Sequence, residues 1–496
     1  MILIRQGNIV DGSGRKPYRG DVLIDGRKIS AIGNFPSKKA DLIIDALGLT
    51  VTPGFIDVNT DSDHHLSLFT QPAQKDFLAQ GVTTIIGGQC GASLAPLLYG
   101  SLISISRWTN TDQVNVDWRS VGELFAILQR LKLGVNFGMH VGHSTIRRDL
   151  IGDEIRDLTE SEIQILLNML RQALRDGVLG VSTGLGYIHG QHIPYSELKR
   201  VVSLLTAYNR IYTTHLRDEK TNLEASIQET VKLAEETGVA TLISHLRPII
   251  GFEHQFSEGI SYIEKHLVHA NIFFDVSPFP VSLMPVYALL PEWAKNGGRE
   301  IMLGHLRNAS VRKDIVAALT AQPLSQLKVV DARNQEAIIG KTLEEIARTR
   351  NVSPVEYLME LMETTGLRAI VSTENVNIGV LEDLLFHNRS LIGSHGASVS
   401  EHSHIVRLDR STATFPRFLQ LAEKRKLPIE EAIKKITSTP AQLFRIKQRG
   451  LIKNGYFADI SMLDNQKKIQ HVLVNGQHAL ESGVFTHMLG GTMIHS

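Results

Sequence analysis

The stretch VTPGFIDVNTDSDHH, residues 51–65, decides the architecture. An apolar run from Val51 to Ile56 climbs to Asp57 and then breaks into Asn, Asp and His. That is the pattern of a buried strand opening onto a polar loop. Outward from it, short apolar runs alternate with helical patterns. The runs are VTTIIGG (82–88), NFGMHVG (136–142), GVLGVSTG (177–184), RIYTTHL (210–216), ATLISHL (240–246), NIFFDVS (271–277) and SLIGSHG (390–396). One intervening helix is explicit, with Leu223, Ile227, Val231 and Ala234 on one face and Gly238 at the place of a C-terminal cap. Strands alternating with helices imply a parallel sheet with crossovers. The strand ending at Asp57 brings the count to eight, the number that closes a (β/α)8 barrel of the TIM type. AIVSTE (369–374) is a ninth β-like run, so one assignment is wrong or one strand is peripheral. Residues 294–366 are mostly helical in pattern and read as an insertion.

Both chain ends have a different texture. Residues 1–52 read as short alternating strands separated by Gly- and Asp-rich turns, and ADISMLD and IQHVLVNGQHAL near the C-terminus repeat it. The expectation is a small β-sandwich domain built from residues 1–52 and 445–496, bracketing a barrel over 53–444. The chain has 496 residues, 43% hydrophobic and 21% charged, which is ordinary for a soluble enzyme. A formal net charge of +1 offers no field for nucleic acid. One cysteine excludes an intramolecular disulfide and fits a reducing compartment. The first residues lack a signal peptide's apolar core, and no apolar run approaches membrane-spanning length. A cytoplasmic protein acting on a small molecule, with no membrane partner and an unreadable oligomeric state, is expected.

Barrel function gathers at the C-terminal strand ends. Cys90 follows VTTIIGGQ, His215 ends RIYTT, His245 ends TLIS and His395 ends LIGS. A lone strand-end His is more often hydrogen-bonded than metal-bound, and a lone Cys is usually a small buried hydrophobe. Four such residues at four strand ends favour a zinc site, because zinc takes imidazole and thiolate and its catalytic sites keep one position open.

The chain resembles the amidohydrolase superfamily and, within it, the N-acyl-D-amino-acid deacylases (D-aminoacylases). The resemblance runs over nearly the whole length, through IVDGSG, VTPGFID, GVTTIIGGQCGAS, GHSTIRR, STGLGY, THLRDE, ISHLRP, TFPRFL, ITSTPA and RGLIKNGYFADI. It implies a (β/α)8 barrel with a β-sandwich from both ends, and a tight zinc site on Cys90, His215 and His245. It also implies substrate-carboxylate binding by Arg410, and by Arg247 where the family usually has lysine. Tyr187, after STGLG, is a further candidate for the pocket.

At two places the chain departs from this family. The family has His-x-His after the first strand and an aspartate in a Ser-Asp-Gly element at the eighth. Here these read Asn59-Thr60-Asp61 and Ser394-His395-Gly396. Carboxylate and imidazole have traded places, which preserves an Asp–His pair. Three chemistries are open. Cys90, His215 and His245 could hold one zinc while Asp61 and His395 move protons. Asn59, Asp61 and His395 could form a rearranged second metal site, although Asn is a poor zinc ligand. The substitutions could instead mark a metal-binding, non-catalytic relative. Asp63 and His143 are candidates for supporting a ligand. His140 is a lesser one, as are His64 and His65, of which at most one can face the site if the segment is extended. The expected activity is zinc-dependent hydrolysis of N-acyl-D-amino acids or related N-acyl amines, with one zinc per chain. The alternative enzyme is a cyclic-amide hydrolase of hydantoinase or dihydroorotase type, against which the Cys90 motif and the Arg410 element argue.

Overall fold

The computed structural model describes residues 1–106, 108–295, 298–332, 335–400 and 406–496. Its centre is an eight-stranded parallel sheet in sequence order. The strands are Phe55–Asp57, Val82–Gly87, Asn136–Gly142, Gly180–Gly184, Ile211–His215, Thr241–Ile243, Ile272–Val276 and Ser390–Ile392. All eight are those expected from the apolar runs. Almost every residue in them is buried, as strands covered on both faces require. The first and last strands meet just beyond their ends. The His395 amide donates to Asn59 O at 2.8 Å, and the Asp61 amide to Gly396 O at 2.7 Å. The barrel is therefore closed by the two segments that depart from the family pattern.

Helices cover the outside. The helix Leu223–Thr237 buries Leu223, Ile227, Val231 and Ala234, and Gly238 caps it at a left-handed φ of 67°. Reciprocal Ser/Thr–Glu caps fix the starts of four others, beginning at Val121, Glu160, Leu343 and Pro354. No helix among the described residues is long and apolar enough to cross a membrane.

The chain ends share one nine-stranded sheet. Ile2–Ile9 pairs antiparallel with Tyr18–Asp25, and Thr50–Pro53 pairs antiparallel with Ile460–Leu463. Ile4, Val22, Ile24, Val51, Ile460, Met462 and Leu473 form its own apolar core.

The inserted region is larger than the helical pattern indicates. Val281–Pro285, Ile370–Glu374 and Lys328–Asp331 make a separate antiparallel sheet, with Ile370–Glu374 in the middle. AIVSTE is thus the peripheral strand, and Lys328–Asp331 lies inside the stretch read as helical. Four residues are too short to show a period against the flanking helices. Met302, Leu306, Ile315, Leu319, Leu358 and Met362 give this region a core of its own.

Candidate active site

Each donor stands where a barrel strand has just ended. Cys90, His245 and His395 all have left-handed backbone, with φ of 52°, 41° and 50°. For non-glycine residues such conformations cost of order 1–3 kcal/mol and cluster at functional sites. Here the strain turns three side chains toward one point. Cys90 Sγ lies 3.4 Å from His245 Nε2 and 3.8 Å from His395 Nε2. Ligands about 2.3 Å (sulfur) and 2.0–2.1 Å (nitrogen) from one tetrahedral ion stand about 3.5 Å apart. The donors are therefore spaced to share an ion. His215 joins them from the side, its ring centroid 4.4 Å from that of His245. Burial raises the Cys90 thiol pKa, but the charge on His245 and hydrogen bonds from His215, His245 and His395 outweigh it and hold the thiol well below its usual range. A buried thiolate among three imidazoles fits a zinc-like ion in donor type as well as in spacing.

Asp61 and His395 are in direct contact, with His395 Nδ1 2.9 Å from Asp61 Oδ2. Burial works against the Asp61 charge, yet His395 and His64 together hold its carboxyl well below the usual value. With Nδ1 engaged by Asp61, Nε2 is the His395 nitrogen that faces Cys90 and His245. Arg410, 9% exposed, leans over the pair, with Nη2 3.4 Å from His395 Nδ1 and 3.7 Å from Asp61 Oδ2.

Two acids that were not candidates in the sequence organise the rest. Glu219 accepts from His245 Nδ1 at 3.1 Å and from Arg247 Nη2 at 2.6 Å. It is the carboxylate behind a strand-end imidazole that metal-binding histidines characteristically have. Its only sequence signal is its place four residues after His215 in THLRDE. Asp275, an acid inside the apolar run NIFFDVS, accepts from the His245 amide at 3.0 Å and so fixes that strained turn. Burial raises its pKa to about 6.

Several sequence candidates take other places. Asn59 donates its amide nitrogen to Asp275 at 3.1 and 3.3 Å, which ties the first strand end to the seventh strand, while its buried Oδ1 has no hydrogen-bond partner among the described residues. Asp63 accepts from the Gly88 amide at 2.7 Å and supports the loop before Cys90. His143 Nε2 lies 2.8 Å from Glu197, a carboxylate it shares with Arg147, and neither it nor Asp63 lines the cavity. His140 is fully buried against Phe444, and burial lowers its pKa to about 3, so it stays neutral. Residues 62–66 form turns rather than extended chain. Consequently the alternation that would separate His64 from His65 does not apply: His65 lines the cavity while His64 reaches Asp61 from behind. Arg247 lines the cavity but is already paired with Glu219.

The cavity above these groups encloses about 1090 Å³ including its open mouth. Asp61, His215, His245, His395, Arg247 and Arg410 form its polar floor, with the Tyr187 ring tilted against His215 at a centroid distance of 4.7 Å. The rest of the lining forms a mostly apolar wall, although it includes Ser277 and Asp331. Phe279, Val281, Leu283 and Ile370 come from the inserted sheet and its approach, and Val376 and Leu381 continue the wall.

The chain matches the amidohydrolase family over residues 126–479. It is 27% identical to the D-aminoacylase of Alcaligenes xylosoxydans xylosoxydans, over 99% of this chain and 97% of that protein. It is 26% identical to the N-acyl-D-glutamate deacylase of the same organism, over 96% of this chain and 92% of that protein. A D-aminoacylase crystal structure described as defining a novel subset of amidohydrolases superposes with a TM-score of 0.82 at 25% identity, covering 100% of this chain and 99% of that one. With that family match spanning most of the sequence, and the barrel and its converging donors in place, the chain belongs to the amidohydrolase family.

Proposed function

We propose that this chain hydrolyses the amide bond of N-acyl-D-amino acids, releasing a carboxylate and a free amino acid, with one zinc ion per chain. The observation that carries this is the convergence of Cys90, His245 and the Asp61–His395 pair on one point of a cavity floor that also presents two guanidinium groups. Cys90, His215 and His245 would hold the metal, which when bound polarises the amide carbonyl and acidifies the attacking water. His395 Nε2 takes a proton from that water and returns it to the leaving nitrogen, while Asp61 fixes the tautomer and stabilises the imidazolium. Arg410, whose buried Nε has no hydrogen-bond partner among the described residues, receives the substrate carboxylate; Arg247 can contribute through its own unpartnered Nε.

The direct test incubates zinc-loaded protein with N-acetyl-D- and N-acetyl-L-amino acids, hydantoins and dihydroorotate, and measures the released amine or the ring-opened acid. Turnover of the N-acetyl-D-amino acids alone is expected. Ring opening would transfer the assignment to the cyclic amides, and bound zinc without any turnover would leave a binding protein.

The floor and the wall each give a specific expectation. Converting the substrate carboxylate to an amide removes a charged hydrogen-bond partner of Arg410. A loss of about 1.5–3 kcal/mol is expected, roughly ten- to a hundredfold in kcat/KM; equal turnover of acid and amide would remove Arg410 from recognition. The apolar wall favours an apolar amino-acid side chain over an acidic one, because an unpaired carboxylate there loses its hydration. N-acetyl-D-leucine is expected to outpace N-acetyl-D-glutamate in kcat/KM, and the reverse order would contradict the wall's role.

Gly186 tests His215. A methyl group there would sit 2.6 Å from His215 Nε2, closer than any real contact. Gly186→Ala is therefore expected to weaken zinc binding about tenfold or more, read by competition with a chromophoric chelator. Unchanged affinity would show that His215 is not a ligand.

A further inference from the structure

Asp61 is held from both sides. His395 Nδ1 reaches Oδ2 at 2.9 Å, and His64 Nδ1 reaches Oδ1 at 3.2 Å. His64 is 2% exposed, and its Nε2 lies 3.1 Å from the carbonyl oxygen of Ala92. A carbonyl only accepts, so that nitrogen carries a hydrogen. A neutral ring would then turn a lone pair at Nδ1 toward the ionised Asp61, so both nitrogens must be protonated. Asp63 Oδ2, 3.9 Å from His64 Nε2, adds a second negative charge beside the ring. Burial alone would lower the His64 pKa, but Asp63 and Asp61 reverse this and raise it to about 9.

This cation is poorly placed to shuttle protons, since its ring is buried and its far nitrogen ends on the carbonyl oxygen of the buried Ala92. Its effect is on the position of Asp61. Arg410 Nη2 lies 3.7 Å from Asp61 Oδ2, close enough to form a tighter ion pair if the carboxylate turned. Such a turn would take Asp61 off His395 and occupy the guanidinium assigned to the substrate. We infer that His64 is a positioning residue: its imidazolium anchors Asp61 Oδ1, keeping Oδ2 on His395 and leaving Arg410 open to the substrate carboxylate. The kinetic consequences rest on the proposed hydrolysis; the placement of Asp61 does not.

The test compares His64→Leu, His64→Asn and His64→Gln in zinc-loaded protein, by steady-state kinetics and crystal structures. Asn places its amide nitrogen where His64 Nδ1 stands and can still hold Asp61. Gln places its nitrogen near Nε2 and can hold only Ala92. His64→Leu is expected to retain zinc, lower kcat about ten- to a hundredfold and raise KM, with Asp61 paired to Arg410 in its crystal structure. Asn should recover most of the loss and Gln little. Better rescue by Gln, or Asp61 unmoved in the Leu variant, would show that His64 merely braces the loop through Ala92. A wild type without turnover would sink the hydrolase assignment instead, and the position of Asp61 in the crystal structures would still decide the role of His64.

Discussion

Cys90→Ala is expected to remove the tightly held zinc, taking metal content from close to one ion per chain to a small fraction of that. The thiolate is the one anionic donor among Cys90, His215 and His245, and its left-handed backbone at φ 52° holds it at the point where the imidazoles converge. An alanine there deletes a metal–sulfur bond and the only anionic member of the proposed ligand set, leaving neutral imidazoles that hold zinc much more weakly. Glu219, near His215 and His245, is engaged by Arg247, and both Asp61 oxygens are engaged by histidines, so neither acid readily replaces the thiolate. Activity should fall with the metal. Elemental analysis of purified, dialysed protein measures this directly, and stoichiometric zinc surviving in the variant would remove Cys90 from the site.

His395→Ala is expected to behave in the opposite way, keeping zinc and losing most of kcat. Proton transfer by a positioned side chain contributes on the order of 10²–10⁴-fold, and the loss should fall in that range. The retained metal matters as much as the lost rate. His395 Nε2 stands 3.8 Å from Cys90 Sγ, near enough to serve as a ligand. In the proposed assignment Cys90, His215 and His245 supply a catalytic zinc set, and a fourth ligand would close the position the substrate needs. A zinc affinity that collapses in this variant would make His395 a ligand rather than the proton carrier.

Much of the fold is legible in the sequence because buried parallel strands are apolar runs, and all eight here are. The inserted sheet is less so. VSLMP and KVVD are short, and the prolines before and at the end of the first (Pro278, Pro280 and Pro285) make it read as loop rather than strand. The metal donors are legible because each ends a strand, which is a local feature. Their supports are not: Glu219 resembles any exposed loop acid, and Asp275 sits inside an apolar run where its hydrogen bonds to other strands leave no local trace. The contact of Asp61 with His395 is intermediate. The resemblance to a family shows that the two residues have exchanged types, but only barrel closure, through the His395–Asn59 and Asp61–Gly396 backbone bonds, makes them neighbours. His64 is hidden for a different reason, since the Asp- and Ser-rich DSDHH signals a turn but not which side chain that turn brings behind Asp61.

The central claim is that Asp61 and His395 act as one unit beside the metal. The most direct measurement is kcat/KM for the zinc-loaded wild type, Asp61→Asn, His395→Ala and the double variant, each with metal content verified. Asp61 acts only through His395, so once His395 is gone its loss should cost nothing further, and the double variant should be no slower than His395→Ala. Losses that multiply in the double variant would show two independent residues and contradict the account.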